Sequence, residues 1–152
     1  MDCPVCDQAG ECELQNYYMK VGKYQSQMED EKVLKPKALD VGDTLVLDTE
    51  RCILCSRCVR FEDEVTKTST LGIFSRGDQA TIGTYKDRKI KHNYSYNLAD
   101  ICPVGAFTAK DFRFKCRVWF LKESKTVCPG CSTGCNVNLF QNRSEERRVG
   151  KE

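Results

Sequence analysis

The chain has 152 residues, a formal net charge of +2 and eleven cysteines. Basic and acidic residues are mixed along it and not grouped, which gives no support to nucleic-acid binding. The sequence has neither a signal-peptide core nor a run of eighteen apolar residues, so it is neither obviously secreted nor membrane-spanning. In a reducing compartment, closely spaced cysteines bind metals more often than they form disulfides, and we expect metal clusters to carry part of the fold.

The first cysteine group follows a C-x2-C-x5-C pattern and consists of Cys3, Cys6 and Cys12. The segment from Glu13 to Lys20 has apolar residues at helical spacing, which predicts a helix that ends at Gly22. Residues 26–37 are charged and end in Lys-Pro-Lys, which predicts an exposed connection. We therefore expect a first small module over residues 1–40.

The second cysteine group follows a C-x2-C-x2-C pattern and consists of Cys52, Cys55 and Cys58. A short strand is predicted before it, at residues 45–47, and a helix after it that runs through Glu64 and Val65. Residues 72–83 predict two short strands around a Gly-Asp turn. The next cysteine is Cys102, and a proline follows it.

Two-cluster ferredoxins carry the motif C-x2-C-x2-C-x3-C-P twice, and the fourth cysteine of each motif binds the other cluster. On this template Glu62 stands in place of one fourth cysteine, and the second triplet is replaced by His92, Ser95 and Leu98. All four ligands of one cluster remain. The pattern predicts a ferredoxin-like module over residues 41–116 with one [4Fe–4S] cluster, held by Cys52, Cys55, Cys58 and Cys102. His92 is predicted to be an exposed loop residue.

Residues 112–120 alternate between apolar and polar, which predicts a strand with Cys116 on its packed face. Free cysteine behaves as a small hydrophobic residue, so Cys116 is interpreted as a packing residue and not as a ligand. The third cysteine group, a C-x2-C-x3-C run, consists of Cys128, Cys131 and Cys135. It is expected to open a further module over residues 117–142, with a strand at 137–140. Residues 143–152 are mostly charged and predict an unanchored tail.

Zinc is the main alternative to iron–sulfur. Structural zinc sites usually take their ligands in two pairs, so three clustered cysteines plus a distant Cys-Pro favour a cluster at the second group. The first and third groups each offer three cysteines, so either a fourth ligand lies outside the chain or the sites are incomplete. Zinc is more credible at the third group than at the second, although Gly130 and Gly134 there favour close backbone approach to a cluster.

Three stretches carry a family resemblance: residues 2–15, 51–61 and 100–106. They resemble the large iron–sulfur subunit of NADH:quinone oxidoreductase, respiratory complex I, over nearly everything from Asp2 to about Leu139. The resemblance implies a His-Cys3 cluster at Cys3, Cys6 and Cys12, whose histidine would lie four residues before Cys3 and thus upstream of Met1. It also implies the four-cysteine cluster described above. Cys128, Cys131 and Cys135 match a third cluster found in some bacterial members, whose fourth cysteine would lie beyond residue 152.

The implied fold class is α+β, with small iron–sulfur modules in series, the last opening a domain similar to molybdopterin oxidoreductases. By the same resemblance the chain is a fragment that lacks a preceding [2Fe–2S] domain. It would have no catalytic residues and would relay single electrons from NADH and flavin toward quinone. Its implied partners are the flavin-bearing NADH-oxidising subunit and downstream iron–sulfur subunits. It would lie at the cytoplasmic face of the bacterial inner membrane and meet the membrane only through the complex.

The nearest alternative is an accessory region of an iron-only hydrogenase or a formate dehydrogenase, which shares the His-Cys3 module. Such a region would normally keep both ferredoxin motifs. Here one motif is lost, and 43 residues separate Cys58 from Cys102. This spacing favours the respiratory subunit.

Overall fold

The computed structural model describes residues 2–142, apart from the Asp87 side chain, and the main chain of residues 145–151. The chain divides into two compact units, Met1–Asp111 and Phe112–Glu152. Helices and antiparallel strands both occur, in agreement with the predicted α+β class. The predicted modules 1–40 and 41–116 fall almost entirely within the first unit. The boundary between these two modules at residues 40 and 41 remains a prediction.

Three short α-helices lie in the first unit: α1 (Glu13–Val21), α2 (Arg57–Phe61) and α3 (Ser95–Ile101). The predicted first helix is confirmed, and the Gly22 amide closes it by donating to Tyr18 O at 2.8 Å. A side chain at Gly22 would collide with that same carbonyl oxygen. The predicted helix after Cys58 is also confirmed, because α2 continues into a π-helical turn, Glu62–Thr66.

The first unit has two small sheets. Its three-stranded sheet has the order β1-β2-β5, built from β1 (Leu39–Asp40), β2 (Leu45–Leu47) and β5 (Phe107–Ala109), all antiparallel. Its hairpin consists of β3 (Leu71–Phe74) and β4 (Thr81–Thr84). Both predicted features, the strand at 45–47 and the strand pair around the Gly-Asp turn, are confirmed.

The core of the first unit is small and surrounds the second cysteine group. Leu45 and Leu47 from β2, Leu98 from α3 and Ile82 from β4 are almost completely buried, and they cluster with Cys58. Burying each such side chain contributes about 1.5–3 kcal/mol. The core therefore holds α2 and α3 together. Helix α2 carries Cys58, and α3 ends directly before Cys102.

The second unit contains one antiparallel sheet of order β6-β7-β8, formed by β6 (Lys122–Val127), β7 (Asn136–Asn142) and β8 (Glu145–Lys151). The predicted strand at 137–140 is confirmed within β7. The predicted unanchored tail is wrong for residues 145–151, since their main chain pairs with β7. Backbone pairing requires no apolar side chains, which is why composition misled here. Arg143, Ser144 and Glu152, which also belong to that prediction, lie outside the described residues.

The predicted strand over 112–120 is wrong. The chain forms turns up to residue 115 and then a 3₁₀ helix, Val118–Phe120. Phe114 has a left-handed backbone (φ 60°), which interrupts an extended chain. Phe114 and Phe120, which the alternation places on the packed face, are both more than half exposed, so the alternating residues do not form a common packed face.

Among the described residues, none of the helices combines the length and apolar character needed to cross a membrane.

Asp40 in β1 predicts a measurable acid sensitivity. Hydrogen bonds from Lys110 and then Lys89, both at 2.7 Å, lower the pKa of Asp40 from 3.8 to about 2. Because the pKa is lower in the folded state, this contribution to stability is present above about pH 4 and is lost as the pH falls toward 2. We expect Asp40→Asn to flatten the loss of thermal stability across this window, by a small amount because the site is exposed. Melting curves at several pH values measure it, with the exposed Asp30→Asn as control, and an unchanged slope in Asp40→Asn would contradict the assignment.

Candidate iron–sulfur centres

The three thiols of the second group and the thiol of Cys102 line one cavity in the first unit. Cys52 and Cys55 lie in the loop before α2, Cys58 lies within α2, and Cys102 directly follows α3. The structure thus brings together all four residues that the ferredoxin template selects. The free space is small, about 10 Å³, because the thiols and apolar neighbours such as Ile82 and Phe107 close on it.

Burial of these thiols favours their protonated form, which a bound metal would reverse. Burial raises the pKa of Cys58 to about 12 and also raises the pKa values of Cys52 and Cys102. At Cys102 the backbone N–H groups of Phe107, Val104 and Ala106 oppose this rise in pKa. These amides are already placed to donate to a thiolate, and such hydrogen bonds tune metal-bound sulfur. The donor set, four thiols with backbone amides directed at one of them, has the chemistry that an iron–sulfur cluster requires.

The loop between Cys52 and Cys58 has an unusual backbone. Leu54 (φ 54°) and Ser56 (φ 60°) both adopt left-handed conformations that residues with a Cβ rarely take. The Leu54 amide points back to Cys52 Sγ at 3.4 Å. Such strain persists where surrounding structure holds it, often at functional sites. Here it turns the loop so that its thiols and an amide face one side.

The first cysteine group borders a separate, larger cavity of about 710 Å³ in the same unit. Cys3, Cys6 and Cys12 all line it, together with Cys52 and Gly105. Cys12 is buried, and its Sγ lies 3.7 Å from Pro103 O. A Cβ at Gly105 would collide with Cys6 Sγ. The loop that follows Cys102 therefore packs directly against the first cysteine group, and a side chain at position 105 would displace the Cys6 thiol.

The third cysteine group lies at the connection between β6 and β7 in the second unit. The Cys128 amide donates to Cys135 O at 2.9 Å, so the ends of the group meet through the backbone. Cys131 is exposed, and hydrogen bonding with Thr133 lowers the pKa of its thiol. Gly134 takes a left-handed conformation (φ 66°).

Within the part of the chain that the structure describes, no three histidine, cysteine or acidic side chains are close enough to hold a single metal ion.

Comparisons with known proteins agree with this arrangement. Residues 42–108 match the NADH-quinone oxidoreductase subunit 3 ferredoxin-like domain, and residues 1–27 match the NADH-ubiquinone oxidoreductase-G iron-sulfur binding region. A G-type NADH-quinone oxidoreductase subunit of Mycobacterium bovis is 38% identical over 97% of the chain, and a G-type subunit of Rhizobium meliloti is 35% identical over 98%. The chain belongs to the family of G-type NADH-quinone oxidoreductase subunits.

The family extends to mitochondria. An NADH dehydrogenase [ubiquinone] iron-sulfur protein 1 from Solanum tuberosum is 38% identical over 98% of this chain. The chain spans 18% to 20% of the length of these curated relatives. A crystal structure of NAD+-reducing [NiFe]-hydrogenase also matches, with a TM-score of 0.64 and 29% identity over 76% of this chain and 50% of that one.

His92 lies in a loop, as predicted, but the prediction that it is exposed is wrong. Its side chain is 10% exposed, and its Nε2 lies 3.3 Å from Oε1 of Glu62, which is completely buried. The Glu62 carboxylate also accepts hydrogen bonds at Oε2 from the amides of Thr70 (2.7 Å) and Leu71 (2.9 Å). The polar residues around His92 in sequence concealed this partner, which lies 30 residues away.

Ser95 and Leu98, the other replaced template positions, are buried too. The Thr44 hydroxyl lies 2.9 Å from Ser95 Oγ, and Leu98 belongs to the core. In this family member, protein contacts therefore fill the positions where a two-cluster ferredoxin has its second set of cysteines. The template comparison was the one signal in the sequence that linked Glu62 with His92.

Cys116 stays predicted as a residue that binds no cluster. It is half-buried in the second unit, where its Sγ lies 3.5 Å from both Arg117 O and Asn142 Nδ2. It lines neither cavity described above. We expect Cys116→Ala to leave the iron content of the chain unchanged, as measured by metal analysis after anaerobic reconstitution. Loss of iron in this variant would reassign Cys116 as a ligand.

Proposed function

We propose that this chain is an electron-relaying segment of NADH:quinone oxidoreductase that passes single electrons from NADH and flavin toward quinone. The observation that carries the proposal is that Cys52, Cys55, Cys58 and Cys102 line one cavity. Its residues lie within the ferredoxin-like match at 42–108. A bound [4Fe–4S] cluster would supply one-electron redox chemistry there.

The proposed sites form a series along the chain. Cys52, Cys55, Cys58 and Cys102 form a complete set for one cluster in a module over residues 41–116. Cys3, Cys6 and Cys12, in a module over residues 1–40, would bind a second cluster together with a fourth ligand, for which the resemblance implies a histidine. Cys128, Cys131 and Cys135 need a fourth cysteine and open a molybdopterin oxidoreductase-type domain over residues 117–142.

The contribution of the chain itself is to hold and shield the ligands. Apolar residues such as Ile82 and Phe107 exclude water from the four-cysteine site. Backbone amides around Cys102 donate toward its sulfur and so favour the thiolate. Excluding water and aligning these dipoles in advance limits how much the surroundings must rearrange when an electron arrives. No residue of the chain is assigned a bond-making role.

The partners follow from the same proposal. The flavin-bearing, NADH-oxidising subunit would donate electrons, and downstream iron–sulfur subunits would accept them. The chain would lie in the peripheral arm, at the cytoplasmic face of the bacterial inner membrane, and would meet the membrane only through the complex.

The proposal is tested by mixing the assembled complex anaerobically with NADH and freezing it for low-temperature EPR. The signal of the four-cysteine cluster is identified as the [4Fe–4S] signal that the wild-type complex shows and a Cys102→Ala complex lacks. In the wild-type complex this signal should appear when NADH is added. If dithionite elicits this signal and NADH does not, the site holds a cluster outside the NADH route.

The match to the NAD+-reducing hydrogenase supports a second candidate, a relay of electrons that come from dihydrogen. Replacing NADH by dihydrogen in the same experiment distinguishes the two. Reduction by NADH alone supports the respiratory assignment, and reduction by dihydrogen supports the alternative.

A further inference from the structure

Arg51 connects the two cysteine groups of the first unit. It directly precedes Cys52 in sequence, yet its Nη2 donates a hydrogen bond of 3.0 Å to Val5 O. Val5 lies in the short turn between Cys3 and Cys6. The Arg51 side chain is only 11% exposed. One buried guanidinium therefore contacts the backbone of the first group while its own backbone borders the second.

The charges around Arg51 leave part of the guanidinium available. Nη1 lies 3.4 Å from Oδ2 of the buried Asp48, and Nε lies 3.8 Å from Oδ2 of Asp2. Despite these ion pairs, neither Nε nor Nη1 has a hydrogen-bond acceptor within the described part of the chain. Arg51 also lines the cavity of about 710 Å³ along with the first cysteine group and Cys52. A buried positive charge with unused donors thus borders the residues of both candidate clusters.

We propose that Arg51 is a positioning and charge-tuning residue shared by the two clusters, where it raises the reduction potential of each. The inference rests on the function proposed above. A cluster becomes more negative when it accepts an electron, and a nearby positive charge in a poorly solvated site stabilises the reduced form. Asp48 acts with the opposite sign, because its carboxylate offsets part of the Arg51 charge.

Three substitutions separate charge tuning from a purely structural clamp. Arg51→Gln removes the positive charge, and Asp48→Asn removes the opposing negative charge with almost no change in shape. Lys37→Gln is the matched control: Lys37 lines the same cavity and pairs with Asp2 and Glu50, but its side chain is 51% exposed. Solvent screens exposed charges, so its removal should have little effect.

The measurement is a redox titration of the assembled complex, followed by low-temperature EPR of both clusters. For Arg51→Gln we expect the equilibrium of each cluster to shift about tenfold toward the oxidised form. For a one-electron couple this equals about 59 mV. Asp48→Asn should shift both clusters toward the reduced form, and Lys37→Gln should shift them less than about threefold.

The outcomes are distinguishable. Shifts of opposite sign in Arg51→Gln and Asp48→Asn, at both clusters, support the inference. A shift at one cluster only, shifts of the same sign, or an equal shift in Lys37→Gln would overturn it. If Arg51→Gln assembles without iron, Arg51→Lys decides, because it keeps the positive charge and loses the forked guanidinium. Retained iron with near-wild-type potentials in Arg51→Lys supports charge tuning, and loss of iron in this variant too overturns it. Absence of [4Fe–4S] signals in the wild-type complex would instead contradict the proposed function.

Discussion

Cys102→Ala should remove the cluster held at the second cysteine group and lower the iron content by about four atoms per chain. Cys102 supplies the one thiol of this site that lies outside the Cys52–Cys58 loop. Three backbone amides also donate hydrogen bonds toward its sulfur. Three thiolates alone leave one iron without a protein ligand. Metal analysis and low-temperature EPR after anaerobic reconstitution measure the loss.

Cys116→Ala is the matched control for this experiment, because it removes a thiol that lines neither cavity. The comparison separates the loss of a ligand from a general effect of removing cysteine. Retention of full iron and of the EPR signal in Cys102→Ala would show that the site uses another ligand or holds no cluster.

Glu62→Ala should destabilise the first unit by roughly 2–6 kcal/mol. The substitution leaves the part-buried amide of Thr70 and the buried amide of Leu71 without their acceptor, and each orphaned donor costs about 1–3 kcal/mol. It also removes the partner of His92 Nε2. Since whole domains are stable by only about 5–15 kcal/mol, a loss of this size is large. Denaturant unfolding followed by circular dichroism measures it.

Glu62→Gln is the control, because its side-chain oxygen accepts hydrogen bonds from the same two amides. We expect it to lose well under half of what Glu62→Ala loses. Equal losses in the two variants would mean that the carboxylate charge matters more than its role as an acceptor. Wild-type stability in Glu62→Ala would contradict the contacts themselves.

Much of the first unit could be predicted from local patterns. The helix at Glu13–Val21, the strand at Leu45–Leu47 and the β3–β4 hairpin each follow from spacing and turn residues that lie within a few positions of one another. The convergence of the four thiols was also predictable. It follows from a motif whose fourth member is marked by the proline after it.

The contacts that sequence reasoning missed join distant segments. Glu62 and His92 are 30 residues apart, and Arg51 and Val5 are 46 apart. The polar residues on either side of His92 in sequence do not indicate that its side chain contacts the buried carboxylate of Glu62. Alternation at 112–120 predicted a strand, but an extended segment also needs a partner strand, and the left-handed Phe114 prevents one. At 145–151 the reverse holds, because β7 offers an edge that composition does not reveal.

The most direct test of the four-cysteine cluster is low-temperature EPR of the chain after anaerobic reconstitution with iron and sulfide and reduction by dithionite. We predict a [4Fe–4S] signal that depends on Cys102 and persists in Cys116→Ala. A colourless product that is EPR-silent and contains zinc would contradict the presence of the cluster.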